Sequence, residues 1–352
     1  MKKLVYICEE QYNPDDKGMS EVYFIDANEN VLLIEKLGTL LERVGVGNLN
    51  GVVALKMHMG ERNNETFIKP FYMKEIAEIV KKQGGDPFVT DTTTLYKFDR
   101  YHAMDYYRTA YAHGFLPSYL GCPVIIADGL KDDGVEVSET VEIARTIYES
   151  DGMVVVSHAT GHGTASFGGA IKNVAMGCVT KKSKIYQHEV TKPIYDEELC
   201  TQCDACIEEC KFDAIETKEN GGRELIMENC VGCGCCIDAG ETGALHSQEG
   251  AGEKLQLRIA EVANTVMRNL PYSNYFFINF LIDITPFCDC EGLAPKYICP
   301  DIGILASKDA VAIDQATIDL IGRHSFKGDP AIQVREAHRL GLGELEYEIR
   351  KV

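Results

Sequence analysis

Positive charge is scarce in this sequence. Its 352 residues include 35 Lys and Arg against 54 Asp and Glu, a formal net charge of −19 at pH 7. That surplus of carboxylate argues against a nucleic-acid backbone or an anionic lipid surface as the main partner, and a basic docking partner suits it better. Long apolar runs are missing too. The longest candidate, Tyr275 to Ile284, falls well short of the roughly 20 residues a spanning helix needs and contains Asn279 and Asp283, so it reads as a buried strand. Met1 to Cys8 run straight into Glu9 and Glu10 with no long apolar region and no small-residue cleavage site, which gives the expectation of a cytoplasmic protein with no membrane partner. Nucleotide fingerprints are absent: Gly45 to Gly51 follows a predicted helix rather than a strand, and His158 to Gly169 matches neither G-x-G-x-x-G nor a P-loop. No low-complexity tract interrupts the chain.

What is present is a 45% hydrophobic content, enough for a well-buried core, and 14 cysteines. Short β-rich runs alternate with segments of helical period, the pattern of βαβ units and a mostly parallel sheet. Strands are predicted at Val22–Ile25, Gly51–Lys56, Pro87–Thr90, Pro123–Ala127, Met153–Ser157, Tyr275–Ile282 and Ile302–Ala306. Helices are predicted at Val31–Val44, Tyr72–Gln83, His102–His113, Ser138–Tyr148, Glu253–Asn269, Asp309–Ile321 and Ala331–Leu340. The expected architecture is an α/β body in two parts, 1–192 and 249–352, interrupted by a module at 193–248. That module is thick with Cys, Gly and acidic residues and too small for a conventional core.

Most of the cysteines stand at metal-ligand spacing rather than as a disulfide framework. Cys200-x2-Cys203-x2-Cys206-x3-Cys210 wraps three thiolates around one cubane and sends the fourth to another, and Cys230-x2-Cys233-x2-Cys236 begins a second half. Two 4Fe–4S clusters are therefore expected, one on Cys210, Cys230, Cys233 and Cys236, the other on Cys200, Cys203 and Cys206. A zinc-ribbon pair would show two separated Cys-x2-Cys pairs instead of triplets. The position where the last ligand belongs is Gly240. Its loss leaves three readings: a three-iron cluster, a cubane with a replacement ligand (Cys235, Asp238, Glu241 or a distant Cys), or a cubane with an open iron that substrate could reach. Acidic residues crowd the module, and negative charge near a cluster disfavours adding an electron, so low potentials are expected.

Two further constellations carry chemistry. The run His158-Ala159-Thr160-Gly161-His162 to Gly168-Gly169, with Lys172 after it, lies where a parallel strand delivers its ligand, and a glycine-rich turn lets backbone amides approach an anion. His158 and His162 are candidate proton donors or metal ligands, with His188 further on. The other is Cys288-Asp289-Cys290, followed by Cys299. Two cysteines one residue apart make a redox-active dithiol or hold a soft metal such as an additional iron.

At these residues the chain resembles the archaeal and bacterial iron–sulfur proteins grouped as the domain of unknown function 362 family. The matching stretches are Ala54 to Glu61, Thr90 to Tyr96, Ile125 to Gly129, His158 to Cys178, Ile284 to Pro286 with Cys288 to Cys290, and Pro300 to Ser307. The resemblance spans almost the full length and implies an α/β body with an inserted two-cluster ferredoxin domain. The chain departs from the family pattern at Lys211, where Pro commonly follows the fourth Cys, and at Gly240-Glu241. The expected function is an iron–sulfur oxidoreductase that accepts electrons from a ferredoxin-like donor and reduces a substrate in the α/β body, most specifically a disulfide. Cys288, Cys290, His158, His162 and Lys172 are the expected catalytic residues. The alternative is a non-catalytic electron carrier or a metallocluster assembly or maturation factor in which Cys288, Cys290, His158 and His162 hold a metal. A small-anion reductase using the glycine-rich turn and Lys172 is the third. The sequence is compatible with an oligomer.

Overall fold

The computed structural model describes residues 19–29, 32–46, 49–292 and 296–352. The readings of Met1 to Glu10, of Val31 and of Gly47 and Asn48 lie outside them.

Eight strands form one sheet: β1 (Ser20–Asp26), β2 (Gly51–Met57), β3 (Gly85–Asp91), β4 (Val124–Ile126), β5 (Gly152–His158), β6 (Tyr275–Leu281), β7 (Gly303–Ser307) and β8 (Tyr347–Lys351), in the order β8-β1-β7-β6-β5-β2-β3-β4. All neighbours are parallel except the two pairings of β7, which runs antiparallel to both β1 and β6. The fold is α/β with a mostly parallel sheet, as expected.

Helices cover both faces. Along β5, Met153 and Val155 enter the core on one side, Val154 and Val156 the core on the other. This is the period-2 alternation of a strand, apolar throughout because neither face meets water. Helices α1 (Leu33–Val44), α2 (Pro70–Lys82) and α3 (Ala103–Ala112) pack on one face through Leu37, Leu40, Met73, Ile76 and Tyr106. On the other lie α4 (Ala170–Gly177), α6 (Ala251–Asn269), α7 (Ala310–Ile321) and α8 (Ile332–Arg339), with α5 (Lys181–His188) beside them. No helix of the described residues is long and apolar enough to cross a membrane.

Three elements differ from the sequence expectation. The predicted helix Ser138–Tyr148 is a short strand, Glu142–Ala144, paired with Gly134–Glu136, and a single turn at Arg145–Tyr148. Val141, Ile143 and Ala144 reach the core from that strand and loop, and tertiary packing overrides the local helical spacing. Helix α5 was not predicted, because Lys-Lys-Ser-Lys reads as solvent-facing, yet Ser183, Lys184, Gln187 and His188 are buried. Strand β8 was missed for the same reason: it is a polar edge strand whose one deeply buried side chain is Ile349.

Between α5 and α6 the chain leaves the sheet and forms a small lobe. Ile194–Tyr195 pairs with Leu245–His246, bringing the lobe's two ends together, and Ile215–Thr217 pairs with Arg223–Leu225. Two one-turn helices, Ala205–Glu209 and Cys235–Ala239, complete it. Its core consists of Ile215, Cys236 and Leu245, with Tyr195, Cys206, Ile207, Cys210, Leu225 and Ile237 packed around them.

Candidate functional site

A cavity of about 130 Å³ opens beyond the carboxyl ends of the adjacent parallel strands β3, β2, β5 and β6. That is where ligands sit in open α/β sheets. Lys56 near the end of β2, Asp91 at the end of β3 and His158 at the end of β5 enter its wall directly, and Cys288 to Cys290 follow the turn after β6.

Buried cations dominate this wall. Lys56 pairs with Asp91 at 2.9 Å and donates to Asn173 Oδ1 at 2.6 Å. Gly177 packs against it, and a Cβ there would displace the Lys56 ammonium. Asp91 also accepts from the Tyr106 hydroxyl. Arg100 is 1% exposed, pairs through Nε with Glu61 at 2.9 Å, and lies through Nη1 2.7 Å from His58 Nε2. Gly60 N–H lies 3.0 Å from His58 Nδ1, and a neutral ring can accept from only one of these two donors; burial and then Arg100 hold the His58 pKa well below the ordinary value. Lys184 donates to Thr92 Oγ1 at 2.7 Å and to the Thr93 carbonyl, and burial brings its pKa down to about 8. Lys172, on the first turn of α4, is likewise lowered by burial to about 8.

The N-terminus of α4 does not offer itself to an anion. Asp314 of α7 already accepts from Ala170 N at 2.7 Å and Ile171 N at 2.9 Å, and from Asn279 Nδ2 at 2.8 Å. Burial raises its pKa to about 6. Gly169 is glycine because a Cβ would overlap this carboxylate. Two amides at the start of α4, those of Ala170 and Ile171, are therefore taken by a buried internal cap.

The sulfur pair sits across the cavity. Cys288 and Cys290 form a disulfide with Cα atoms 5.3 Å apart. Between them Asp289, 4% exposed, is 3.0 Å from His158 Nδ1 through both oxygens, and His158 Nε2 is 2.8 Å from the Ile282 carbonyl. A carboxylate and a carbonyl can only accept, so both ring nitrogens donate and His158 is an imidazolium. Burial opposes that charge, but Asp289 outweighs it and the pKa is raised. Neither ring nitrogen keeps a lone pair for a metal. His162 is the opposite case: its Nδ1 accepts from Thr164 N at 3.1 Å and Ala165 N at 3.0 Å, and burial pushes its pKa well below the ordinary value. Gly161 permits the close approach of this strand to Pro286, where a Cβ would overlap the Pro286 carbonyl. As a result one ligand atom each of His162, Cys288 and Cys290 lie within 4.8 Å of one another, close enough to share one metal ion.

The cysteine-rich lobe abuts the same wall. Cys210, Cys230, Cys233, Cys235 and Cys236 line a second small cavity of about 20 Å³, walled by apolar groups such as Pro193, Ile215 and Leu225. Its loop touches the main cavity: Thr191 Oγ1 donates to the Gly232 carbonyl at 2.8 Å, and a Cβ on Gly232 would overlap the His188 carbonyl. His188 lines the main cavity, with a pKa lowered by burial to about 4, and meets the Tyr96 ring edge-on at 6.1 Å. Tyr96 in turn lies within electrostatic reach of Cys233 and Cys235. The other triplet lies outside that second cavity. Cys203 is exposed, the Tyr195 hydroxyl hydrogen-bonds Cys200, and Arg223 faces both Cys200 and Cys206.

The two triplets repeat in backbone as well as sequence. The residues flanking the middle cysteine are left-handed in both: Gln202 (φ 59°) and Asp204 (φ 63°) around Cys203, Gly232 (φ 70°) and Gly234 (φ 82°) around Cys233. Left-handed Gln and Asp are unfavourable and persist where a site demands them. Amides point at sulfur, as in Ala214 N to Cys210 Sγ at 3.4 Å. Five thiols line one apolar cavity here, a donor set that could bind metal. Cys235 hydrogen-bonds Cys233 and lines the same cavity.

A family model described as "Domain of unknown function (DUF362)" matches residues 53–319, from β2 through most of α7, and takes in every residue of both cavities. The chain belongs to this family. No curated protein matches it. Among solved structures, the lactate racemase apoprotein from Thermoanaerobacterium thermosaccharolyticum is 11% identical with a TM-score of 0.36, covering 85% of this chain and 57% of that one. A structural-genomics protein from Thermotoga maritima is 11% identical with a TM-score of 0.38, covering 70% of this chain and 50% of its own. The chain thus spans about half the length of each.

In this family member the fold brings Cys288, Cys290, His158, His162 and Lys172 to one cavity, and Cys210, Cys230, Cys233 and Cys236 to another. Cys200, Cys203 and Cys206 line neither cavity. Sequence reasoning missed Arg100, Lys56, Asp91, Lys184, His58 and Tyr96. One signal was available: a lysine in the otherwise apolar strand Gly51–Met57 has to be paired if it is buried.

Proposed function

We propose that this protein is an iron–sulfur oxidoreductase that accepts single electrons from a ferredoxin-like donor and reduces a disulfide in the main cavity. Its lobe is read as an inserted ferredoxin-like module, and Cys288 and Cys290 as the exchanging thiols. One observation carries the reading: the sulfur pair and His188 share one cavity, and His188 packs on the Gly232 loop between two cluster cysteines. Bound clusters would supply electrons one at a time, the inner set next to the cavity and the outer set next to solvent.

The residues support thiol–disulfide exchange. In the reduced state one thiolate of the pair attacks a substrate disulfide and expels one substrate thiolate. The second thiolate then attacks the mixed disulfide, which expels the other and leaves Cys288–Cys290 oxidised. Two electrons and two protons return the pair to the dithiol. The Asp289–His158 ion pair positions the turn. His162, with Nδ1 held as an acceptor, carries its proton on Nε2, the tautomer that can donate a hydrogen bond to a thiolate. Turnover of a generic disulfide with chemically reduced ferredoxin tests the proposal: reduction is expected, and none with both clusters intact would sink it.

The three ligand atoms within 4.8 Å favour a second reading, a carrier or maturation factor holding a metal at His162, Cys288 and Cys290. The tautomer counts against it, because the amides of Thr164 and Ala165 occupy Nδ1 and leave Nε2 protonated. Stoichiometric metal binding by the dithiol form, lost in His162→Ala, would favour the metal site.

A further inference from the structure

Three cations in the cavity wall each have a carboxylate: Lys56 has Asp91, Arg100 has Glu61, and His158 has Asp289. Two donors have nothing. Lys172 Nζ has neither a hydrogen-bond nor an ion-pair partner among the described residues. Arg100 Nη2 is buried in the same wall without an acceptor, since Nε and Nη1 are committed to Glu61 and His58. A buried charged donor without an acceptor, such as Arg100 Nη2, is costly, and with Lys172 open to the same cavity it marks where an acceptor from outside belongs.

We propose that the cavity binds a small carboxylate-bearing molecule, its two oxygens taking Arg100 Nη2 and Lys172 Nζ and its other end facing Cys288 and Cys290. This rests on the reading of the cavity as the substrate site and narrows the substrate to a small acid. A carboxylate fits better than a phosphate or sulfate for three reasons. Two orphan donors match two oxygens. Two of the helix amides that usually cradle phosphate, those of Ala170 and Ile171, are taken by Asp314. A cavity of about 130 Å³ admits only a small molecule or one end of a larger one.

The charge balance gives a signature. Lys172 faces Lys56 and Asp91 from the strands, Arg100 from the loop after β3, and Asp289 from the turn after β6. His58, His162 and His188, all held below their ordinary pKa, surround it on the remaining sides. Its own pKa of about 8 means that the free cavity loses this charge in mild alkali, whereas a bound carboxylate would hold the proton on. Binding should therefore take up protons above pH 8 and weaken as the pH rises.

The experiment is calorimetric titration of the full-length oxidised protein with dithiodiglycolate and with its uncharged diamide. The acid should bind at least about tenfold more tightly than the diamide, the scale of one charged hydrogen bond. Lys172→Gln should weaken the acid about tenfold or more and abolish the pH dependence, while diamide binding stays as it was. Arg100→Lys should weaken the acid as well; because Arg100 is buried and that variant can misfold, Lys172→Gln on the half-exposed helix turn decides. Equal binding of acid and diamide, displacement of the acid by equimolar phosphate, or an unchanged pH profile in Lys172→Gln would each overturn the proposal. Carboxylate binding without reductive turnover would sink the disulfide-reductase reading and leave this one standing; fast turnover of the diamide would do the reverse.

Discussion

His158 Nδ1 lies 3.0 Å from both carboxylate oxygens of Asp289, and this buried ion pair ties the last residue of β5 to the turn that carries Cys288 and Cys290. Removing one partner strands the other, so Asp289→Asn should cost about 3–5 kcal/mol of stability. The pH dependence has a definite sign. The folded pKa of His158 is raised above 6.5, so its contribution is complete below about pH 6.5 and disappears as the pH climbs through the raised value. Denaturant unfolding at several pH values checks this. The gap between wild type and Asp289→Asn should narrow toward alkaline pH; a gap that widens would show that His158 is neutral.

Iron content tests the lobe. Purified without oxygen, the chain should carry about seven to eight irons on its two thiolate sets. Zinc instead, or the iron of a single cluster, would overturn this. Because the lobe buries Ile215, Cys236 and Leu245 and little else, chelation should unfold it while the eight-stranded sheet persists. Hydrogen exchange should show protection lost between Ile194 and His246 and retained in β2, β5 and β6.

Gly240 has room for a side chain. An added Cβ would meet the Cys236 carbonyl at 3.6 Å and the Ile237 carbonyl at 3.8 Å, ordinary contact distances, and the backbone φ of −84° suits any residue. Gly240→Cys should change the spectrum and potential of the outer cluster alone. Cys235→Ser should perturb the inner one, since Cys235 hydrogen-bonds Cys233. If Cys235→Ser instead destroys the outer cluster, then Cys235 rather than an open position completes it.

Cys288→Ser and Cys290→Ser should each abolish disulfide reduction, with turnover falling at least about a hundredfold, as expected when an exchanging thiol is lost. Reduction of the lobe by dithionite, followed in the visible spectrum, should be unchanged, because its cysteines lie in a separate cavity. Loss of all iron in both variants would make the pair structural. Full turnover in both would move the chemistry to His162 and Lys172.

Much of the fold was legible in the sequence because it rests on local regularities. The apolar runs of β2, β5 and β6 are buried on both faces and carry their own period, and the cysteine spacing is a local pattern of metal-ligand type. The repeat of Cys200 to Cys206 in Cys230 to Cys236 could be read directly, and it turns out to extend to backbone handedness at Gln202, Asp204, Gly232 and Gly234. Where local and tertiary preferences conflict, the sequence misleads. Ser138–Tyr148 has helical spacing but forms strand and turn, because Val141 and Ile143 are drawn into the core. Lys181–His188 looks solvent-facing yet buries Lys184 and His188.

The site was decided by the tertiary structure. Residue types at His158, His162, Lys172, Cys288 and Cys290 suggested chemistry, but a histidine's role depends on what its two nitrogens face. Asp289 and the Ile282 carbonyl make His158 a fixed cation, while the amides of Thr164 and Ala165 keep His162 neutral, and these partners come from segments that are distant in one case and adjacent in the other. The glycine-rich turn suggested an anion floor, but only the fold shows that Asp314, some 140 residues on, takes the Ala170 and Ile171 amides just after it. Arg100 and Lys56 are ordinary cations in the sequence; only parallel strands ending side by side make them one wall of a cavity. Short-range order follows from side-chain periodicity and ligand spacing. Protonation state, pairing and vacancy are set by long-range contacts, which no window of sequence contains.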